Sequence, residues 1–383
     1  MIRKSLFQKS LALGSTREGF GNGLLRAGEM GDVWAITADL GGSTSISKFK
    51  EKFPERFIQT GVAEQNLVTV ASGVASLGNV VFATSFAAFS PGRNWEQIRT
   101  TICYNDVPVI VVGSHTGLGV GEDGATHQAL EDIALMRSLP NMCVVVPCDA
   151  IQAERATIAL ANQKSPAYLR LNRQKSPLIT TSSSPFKLGS AQVFKEGSDL
   201  VIFSCGPIVF EALKAAEELA KKKIKVAVVN IHTIKPLDEK TIIKYAKKCG
   251  AFMTLEDHQV FGGLGSAVAE CLSKNYPVIG DLIGVNDEFG ESGPFEELFW
   301  KYGLTSSRII TRAKKLLLAK NKASMSKRKS NKIKAKASGA LTKINSKKRS
   351  LKIVKKPKLK SNAKKSTKVK SKRVVNKSSR PKK

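Results

Sequence analysis

Residues 61–86 read GVAEQNLVTVASGVASLGNVVFATSF, and their two patterns decide the fold. Leu67, Val70, Ala71 and Val74 recur at helical spacing, which predicts a helix over 61–77 with one apolar stripe. The run that follows, Val80–Thr84, is apolar without a break, as a strand buried on both faces must be. The same rhythm extends outward. Val33–Ala38, Val107–Val112, Cys143–Val146 and Ala167–Leu171 read as buried strands, with helical patterns at Trp95–Tyr104 and Ala150–Ala161. Strands alternating with helices argue for an α/β fold, a mainly parallel sheet wound on both faces.

Gln174–Lys187 (QKSPLITTSSSPFK) has two prolines and a Ser/Thr cluster, the composition of a connection. Beyond it the rhythm restarts with strands at Leu200–Ser204, Lys225–Val229 and Ala251–Leu255 and helices at Val209–Lys222, Asp238–Lys248 and Gly265–Lys274. The expected organisation is two consecutive doubly wound, mainly parallel-sheet domains: 1–175, a linker at 176–187, then 188–319. A basic tail follows at 320–383.

Charge is partitioned in the same way. The chain of 383 residues carries 62 Lys and Arg against 31 Asp and Glu, a net +31. Nearly half of the basic residues fall after residue 319, where no acidic residue occurs, so the preceding residues are close to neutral. Isolated apolar residues among lysines bury too little surface to offset chain entropy, and the tail is expected to be disordered when free. Its charge would attract nucleic acid or another polyanion by counterion release.

No apolar run reaches the length of a membrane span. The N-terminal apolar stretch is broken by Gln8, Lys9 and Ser10, which argues against a secretory signal. Six cysteines without a CxxC pair suit reduced, buried thiols in a cytoplasmic protein.

Several residues invite chemistry. Glu64 precedes Leu67 by three and Ala71 by seven, so it lies along the apolar stripe of its helix. Two readings stand: an acid favoured by the helix dipole, or a carboxyl of raised pKa in an apolar setting. The stretch 113–132, GSHTGLGVGEDGATHQALED, follows a strand and holds two of the four histidines, His115 and His127. It reads as a ligand loop at the carboxyl end of a sheet, or as a long surface loop. Phe86, Phe89 and Trp95 are core aromatics, or a clamp for a flat ring. Gly262-Gly263-Leu264-Gly265 before a helix is a tight packing turn or an anion site at the helix N-terminus.

Taken together, STREGFG, ADLGGS, RFIQTGVAEQN, SFAAF, GSHTGLGVGEDGATHQALED, YLRLNRQ, IKPLD and LEDHQVFGG, in that order over roughly residues 10–315, resemble the transketolase family. The matching part is the family's C-terminal half, its pyrimidine-binding and C-terminal domains. The resemblance implies thiamine diphosphate chemistry. Glu64 matches the catalytic glutamate that hydrogen-bonds the aminopyrimidine, Phe86 and Phe89 the residues packing on that ring, and Asp39 an acid near the thiazolium. His127 would lie near cofactor and sugar, with His115 and Asp123 on substrate hydroxyls or phosphate. Arg17, Ser43 and Arg173 match the cluster that holds the sugar phosphate.

The family's diphosphate- and metal-binding domain, with its GDG…N motif, has no counterpart in this sequence. The resemblance therefore implies a split enzyme of the pentose phosphate pathway. A separate N-terminal subunit would hold Mg2+ and diphosphate in an α2β2 heterotetramer moving two-carbon ketol units between sugar phosphates, and this chain would supply no metal ligand. Deoxyxylulose-phosphate synthase is disfavoured because Ser114-His115 stands where that relative has Asp-Arg. A β-type subunit of a 2-oxoacid dehydrogenase, or a non-catalytic polyanion-binding scaffold, are the alternatives.

Overall fold

Each of the five apolar runs in the first half forms a strand: Val33–Thr37, Val80–Phe86, Val109–Ser114, Cys143–Val145 and Ala167–Arg170. The structure, a computed structural model, describes residues 2–3, 6–7, 10–323 and 325. Across the first sheet the order is Thr233–Lys235, Cys143–Val145, Ala167–Arg170, Val109–Ser114, Val80–Phe86, Val33–Thr37 and Phe57–Gln59. Six of these run parallel, and Thr233–Lys235 closes one edge antiparallel. A second sheet orders Ile279–Val285, Ala251–Gln259, Leu200–Ser204, Val226–Asn230 and Gln192–Lys195, parallel except for the last.

Alternation explains why the strands are apolar throughout. Val81 and Ala83 face one core, while Val80 and Phe82 face another. Val109 and Val111 against Ile110 and Val112 divide in the same way. In the second sheet Val201 and Phe203 join the core of Val81 and Val111, whereas Leu200 and Ile202 pack on the helix Val209–Lys221. The two sheets thus share one apolar cluster, and Met1–Ser324 forms one compact unit.

Several elements differ from the sequence expectation. Trp95–Tyr104 starts as an α-turn at Trp95–Gln97 and then widens to a π-helix at Ile98–Cys103. Thr233–Lys235 carries no strand pattern in its three residues and is a strand because it pairs with Cys143–Val145. A helix at Thr16–Met30, capped by Ser15 with Glu18 closing a capping box, was not anticipated. The segment 176–187 is pinned rather than loose at its start: buried Asp149 caps the helix Ala150–Gln163 and accepts from the backbone N–H groups of Ile179 and Thr180. A helix over 306–323 runs past residue 319, and Lys320 Nζ donates to the carbonyls of Asp199 and Cys249 at 2.9 and 2.6 Å. The disorder and polyanion binding expected of the basic tail concern residues that, from 326 onward, lie outside the described ones.

The helices Thr16–Met30 and Ala150–Gln163 pack closely through Gly19 and Gly23. A Cβ at Gly19 would run into the Ala150 carbonyl, and one at Gly23 into that of Glu154. Gly19→Ala is therefore expected to destabilise by about 1–3 kcal/mol despite its better helix propensity. A thermal melt of the variant at or above the parent's midpoint would contradict that close packing.

All six cysteines are free and buried. No helix among the described residues is long and apolar enough to cross a membrane.

Candidate functional site

Parallel pairing brings the strands' carboxyl ends to one edge, where register places Phe86 beside Ser114 and Thr37 between Gln59 and Thr84. Open α/β sheets bind ligands at this edge. The chain leaves it in unusual conformations. Asp39 and His115 both adopt left-handed backbone, at φ 61° and 57°. For residues with a Cβ this stores strain, which clusters at functional sites.

Glu64 is the first residue of the helix Glu64–Ser76 and is only 2% exposed. The stripe it heads consists of Leu67, Val68, Ala71, Ser72 and Ala75, with Val70 and Val74 partly buried at its flank. Glu64 is thus a first-turn acid that is also buried. Neither sequence reading of Glu64 anticipated Arg93, whose Nη1 donates to Glu64 Oε2 at 2.6 Å. Asn94 fixes the same turn by donating to the Glu64 carbonyl at 2.7 Å.

Arg93 starts a chain of contacts. Its guanidinium carbon lies 5.0 Å from the Phe89 ring centroid. The His127 ring stands edge-on to Phe89 at 5.4 Å and to Phe86 at 6.5 Å, and Phe86 lies 3.9 Å from His115. Glu64, Phe86, Phe89, His127 and His115 therefore line one continuous wall. Trp95 belongs elsewhere: it packs on the core and donates to the Leu135 carbonyl at 3.0 Å.

Gly113–Asp132 is not a surface loop over its first half. Residues 113–121 are buried, and Leu118–Asp123 forms two short 3-10 turns kinked at Gly121. His115 Nδ1 shares a 2.9 Å hydrogen bond with Ser114 Oγ. Burial first, and then Arg17, Arg173 and His127, push His115 down to about 3. It is a neutral imidazole at any ordinary pH, suited to hydrogen bonding rather than to carrying charge.

Beyond His115 the site becomes cationic. Arg17 donates to the carbonyls of Ser43 and Arg173 at 2.5 and 3.0 Å. Arg173 donates to the Val120 carbonyl at 2.6 Å and pairs with Asp123 at 3.3 Å. Burial and then the neighbouring Arg173 hold Arg17 below the usual guanidinium value. Two guanidinium groups held together without full compensation form a place an anion would stabilise. Arg17, Ser43, Asp123, Arg173 and His115 are thus brought together. The hydrogen bonds of Asp39 run instead to Gln59, at 3.0 and 2.7 Å.

The glycine turn at 262–265 resolves its two readings in one arrangement. The N–H groups of Leu264 and Gly265 do hold an acceptor, but it is the protein's own Glu256 carboxyl group, at 2.7 Å each. Burial pushes Glu256 up to about 8 and Asp257 to about 6. Beside them Arg170 and Asp132 pair at 2.7 Å, both buried, with Tyr168 donating to the same carboxylate. Burial alone would raise Asp132, but Arg170 holds it below its usual value. Arg170 also donates to the Asp257 carbonyl at 2.9 Å, which ties the first sheet to the second.

His232 and His258 are also buried neutral, at about 4, chiefly through burial. Unfolding exposes such a histidine, which then titrates near 6.5. The unfolded chain binds the extra proton, so the contribution is complete above pH 6.5 and is lost as pH falls toward 4. Between pH 7 and 5 the stability of the parent is expected to fall by about 2 kcal/mol relative to His232→Gln. Comparing melts of the two proteins isolates this residue from Glu256 and Asp257, whose raised values act in the opposite direction. Parallel pH curves would refute the assignment.

Comparisons with known proteins identify the family. Residues 15–177 match the transketolase pyrimidine-binding domain and residues 189–309 the transketolase C-terminal domain. A putative transketolase C-terminal section of Methanocaldococcus jannaschii is 42% identical over 77% of this chain and 94% of its own length. The 6-deoxy-6-sulfo-D-fructose transketolase subunit SqwH of Clostridium sp. is 40% identical, over 76% of this chain and 90% of its own. A solved structure described as "Split gene transketolase, inactive beta4 tetramer" superposes with a TM-score of 0.75 at 42% identity, covering 80% of this chain and 99% of that one.

Proposed function

Because the chain belongs to the transketolase family, as the counterpart of its C-terminal section, we propose that it is one subunit of a split thiamine-diphosphate-dependent transketolase. Its reaction moves a two-carbon ketol unit from a ketose phosphate to an aldose phosphate. A second subunit supplies the diphosphate and Mg2+ site, in an α2β2 complex. Within this chain, residues 1–175 serve as the pyrimidine-binding module and 188–319 as the C-terminal module. The observation that carries the reading is the single wall from Glu64 through Phe89, His127 and Phe86 to His115 and the Arg17–Arg173 pair. It sets a carboxyl, an aromatic face and an anion site in the order such a reaction needs.

The donor set fits the cofactor. A buried carboxyl at a helix start suits a heterocyclic nitrogen, and two phenylalanines beside it suit a flat ring. Thiamine diphosphate, with its pyrimidine held by Glu64, Phe86 and Phe89, would supply carbanion-type chemistry at this site. Glu64 holds a proton against the pyrimidine nitrogen, and displacement of Arg93 from its carboxylate frees it to do so. Neutral His115 orients sugar hydroxyls by hydrogen bonding, and His127 exchanges protons with them. Arg17 and Arg173 clamp the terminal phosphate and fix the reach of the sugar. Asp39, just past the strand Val33–Thr37, would lie on the thiazolium side, as the family resemblance implies.

Relatives are named for 6-deoxy-6-sulfo-D-fructose and for apulose 4-phosphate, so the sugar differs among subunits of this kind. The Arg17–Arg173 cluster favours a phosphorylated end here. Xylulose 5-phosphate and ribose 5-phosphate are therefore the first substrates to supply, with thiamine diphosphate and Mg2+. Transfer is expected only when this chain is co-expressed with a subunit carrying a GDG…N domain. The relative described as an inactive β4 tetramer supports that dependence. Transfer at full rate by the purified chain alone would refute it.

A further inference from the structure

The loop that carries His115 and Asp123 is held from the second half of the chain. Asp257 belongs to the strand Ala251–Gln259 of the second sheet and is buried, and its Oδ1 accepts from the Leu118 N–H at 3.0 Å. The carboxyl group presses on the loop backbone. A Cβ at Gly117, where φ is 71°, would come within 2.0 Å of Asp257 Oδ2, so glycine is what permits the approach. Arg170 fixes Asp257 in turn through the 2.9 Å bond to its carbonyl. Gln128 makes a second tie, donating to the carbonyls of Gly121 at 3.3 Å and of Glu291, also in the second half, at 2.9 Å.

The loop so held is the one that places Arg173. Its guanidinium donates at 2.6 Å to the carbonyl of Val120, two residues past Leu118, and pairs with Asp123 at 3.3 Å. A loop released at Leu118 would carry both of those acceptors with it. Small displacements of a group that clamps a substrate weaken it steeply, because the bidentate geometry toward an oxyanion is lost.

We propose that Asp257 is a positioning residue for the phosphate end of the sugar: it holds Leu118, hence the Val120 carbonyl and Asp123, and through them the Arg173 guanidinium. The C-terminal module thereby sets the affinity of a phosphate site whose guanidinium groups belong to the pyrimidine-binding module. The role rests on the sugar-phosphate site of the function proposed above.

The test compares Asp257→Ala with Asp257→Asn, which keeps an acceptor for the Leu118 N–H, in the full chain and in the reconstituted complex. Hydrogen exchange over 116–124 and calorimetric titration with inorganic phosphate are read on the chain. The ratio of kcat/KM for ribose 5-phosphate to that for ribose is read on the complex. In Asp257→Ala, exchange at Leu118 is expected to quicken about tenfold, phosphate to bind about fivefold more weakly, and the preference for the phosphorylated acceptor to fall about tenfold. Asp257→Asn should stay within about threefold of the parent on all three. A merely structural defect slows both acceptors alike, so an unchanged preference in folded Asp257→Ala overturns the proposal. So does a loss in Asp257→Asn as large as that in Asp257→Ala. If circular dichroism shows that Asp257→Ala does not fold, Gly117→Ala decides, since it pushes the loop off the same carboxyl group and should reproduce the loss. If the parent complex transfers nothing, the transketolase reading fails, and exchange and phosphate binding still judge this one: either of them unchanged in the variant, or no phosphate binding by the parent, overturns it.

Discussion

Glu64→Gln is expected to abolish ketol transfer by the reconstituted complex, with a loss of about 10²–10⁴-fold in kcat. The substitution keeps size and a hydrogen-bonding group but removes the one function assigned to Glu64, holding a proton on a heterocyclic nitrogen. Because Glu64 is 2% exposed at the start of its helix, the amide fits without repacking the stripe of Leu67, Val68 and Ala71. Assembly with the second subunit and the thermal midpoint should change little. Single-turnover assays at saturating cofactor separate chemistry from weakened cofactor binding. A variant retaining more than a tenth of the parent's rate would show that Glu64 is a binding residue at most. Arg93→Ala is the companion control, because it leaves the Glu64 carboxyl in place while removing the 2.6 Å contact. Its turnover should survive where that of Glu64→Gln does not.

The largest stability effect is expected at Arg170 and Asp132, whose side chains are 2% and 1% exposed and 2.7 Å apart. Removing one member leaves the other charge buried and uncompensated, and each of Arg170→Met and Asp132→Leu should cost about 3–5 kcal/mol. Replacing both together removes the stranded charge. The double variant should therefore unfold at a higher midpoint than either single one, although it still loses the Arg170 bonds to Ala129 and Asp257 and leaves the Tyr168 hydroxyl unpaired. Urea unfolding followed by circular dichroism measures all four proteins. Strictly additive losses would mean that the pair is not coupled, and that Arg170 acts through its carbonyl contacts alone.

The sequence by itself pointed to the α/β class, most strands and helices, and the candidate residues Glu64, His115 and His127. The physical reason is that these signals are local. A strand buried on both faces must be apolar at every position, as in Val80–Phe86, and a helix with one buried stripe must repeat as Glu64–Ser76 does. The motif resemblance added roles to Glu64, Phe86, Phe89, His115 and His127, and it alone brought in Arg17, Ser43, Asp39, Asp123 and Arg173.

What only the tertiary structure decided were pairings across the chain. Arg93 lies 29 residues after Glu64 and reaches it because a turn following Phe89 folds back. Thr233–Lys235 is a strand only because an edge of the first sheet is open to it. The apparent anion site at Leu264–Gly265 holds Glu256, eight and nine residues away in sequence, which no composition announces. Arg170, Asp132 and Asp257 look like surface charges in the chain and become a buried bridge between sheets once those sheets share a core. Hydrophobic period is set by neighbouring positions, whereas electrostatic partners are set by whatever packing brings within about 3 Å. The first is written along the chain, and the second exists only when it has folded.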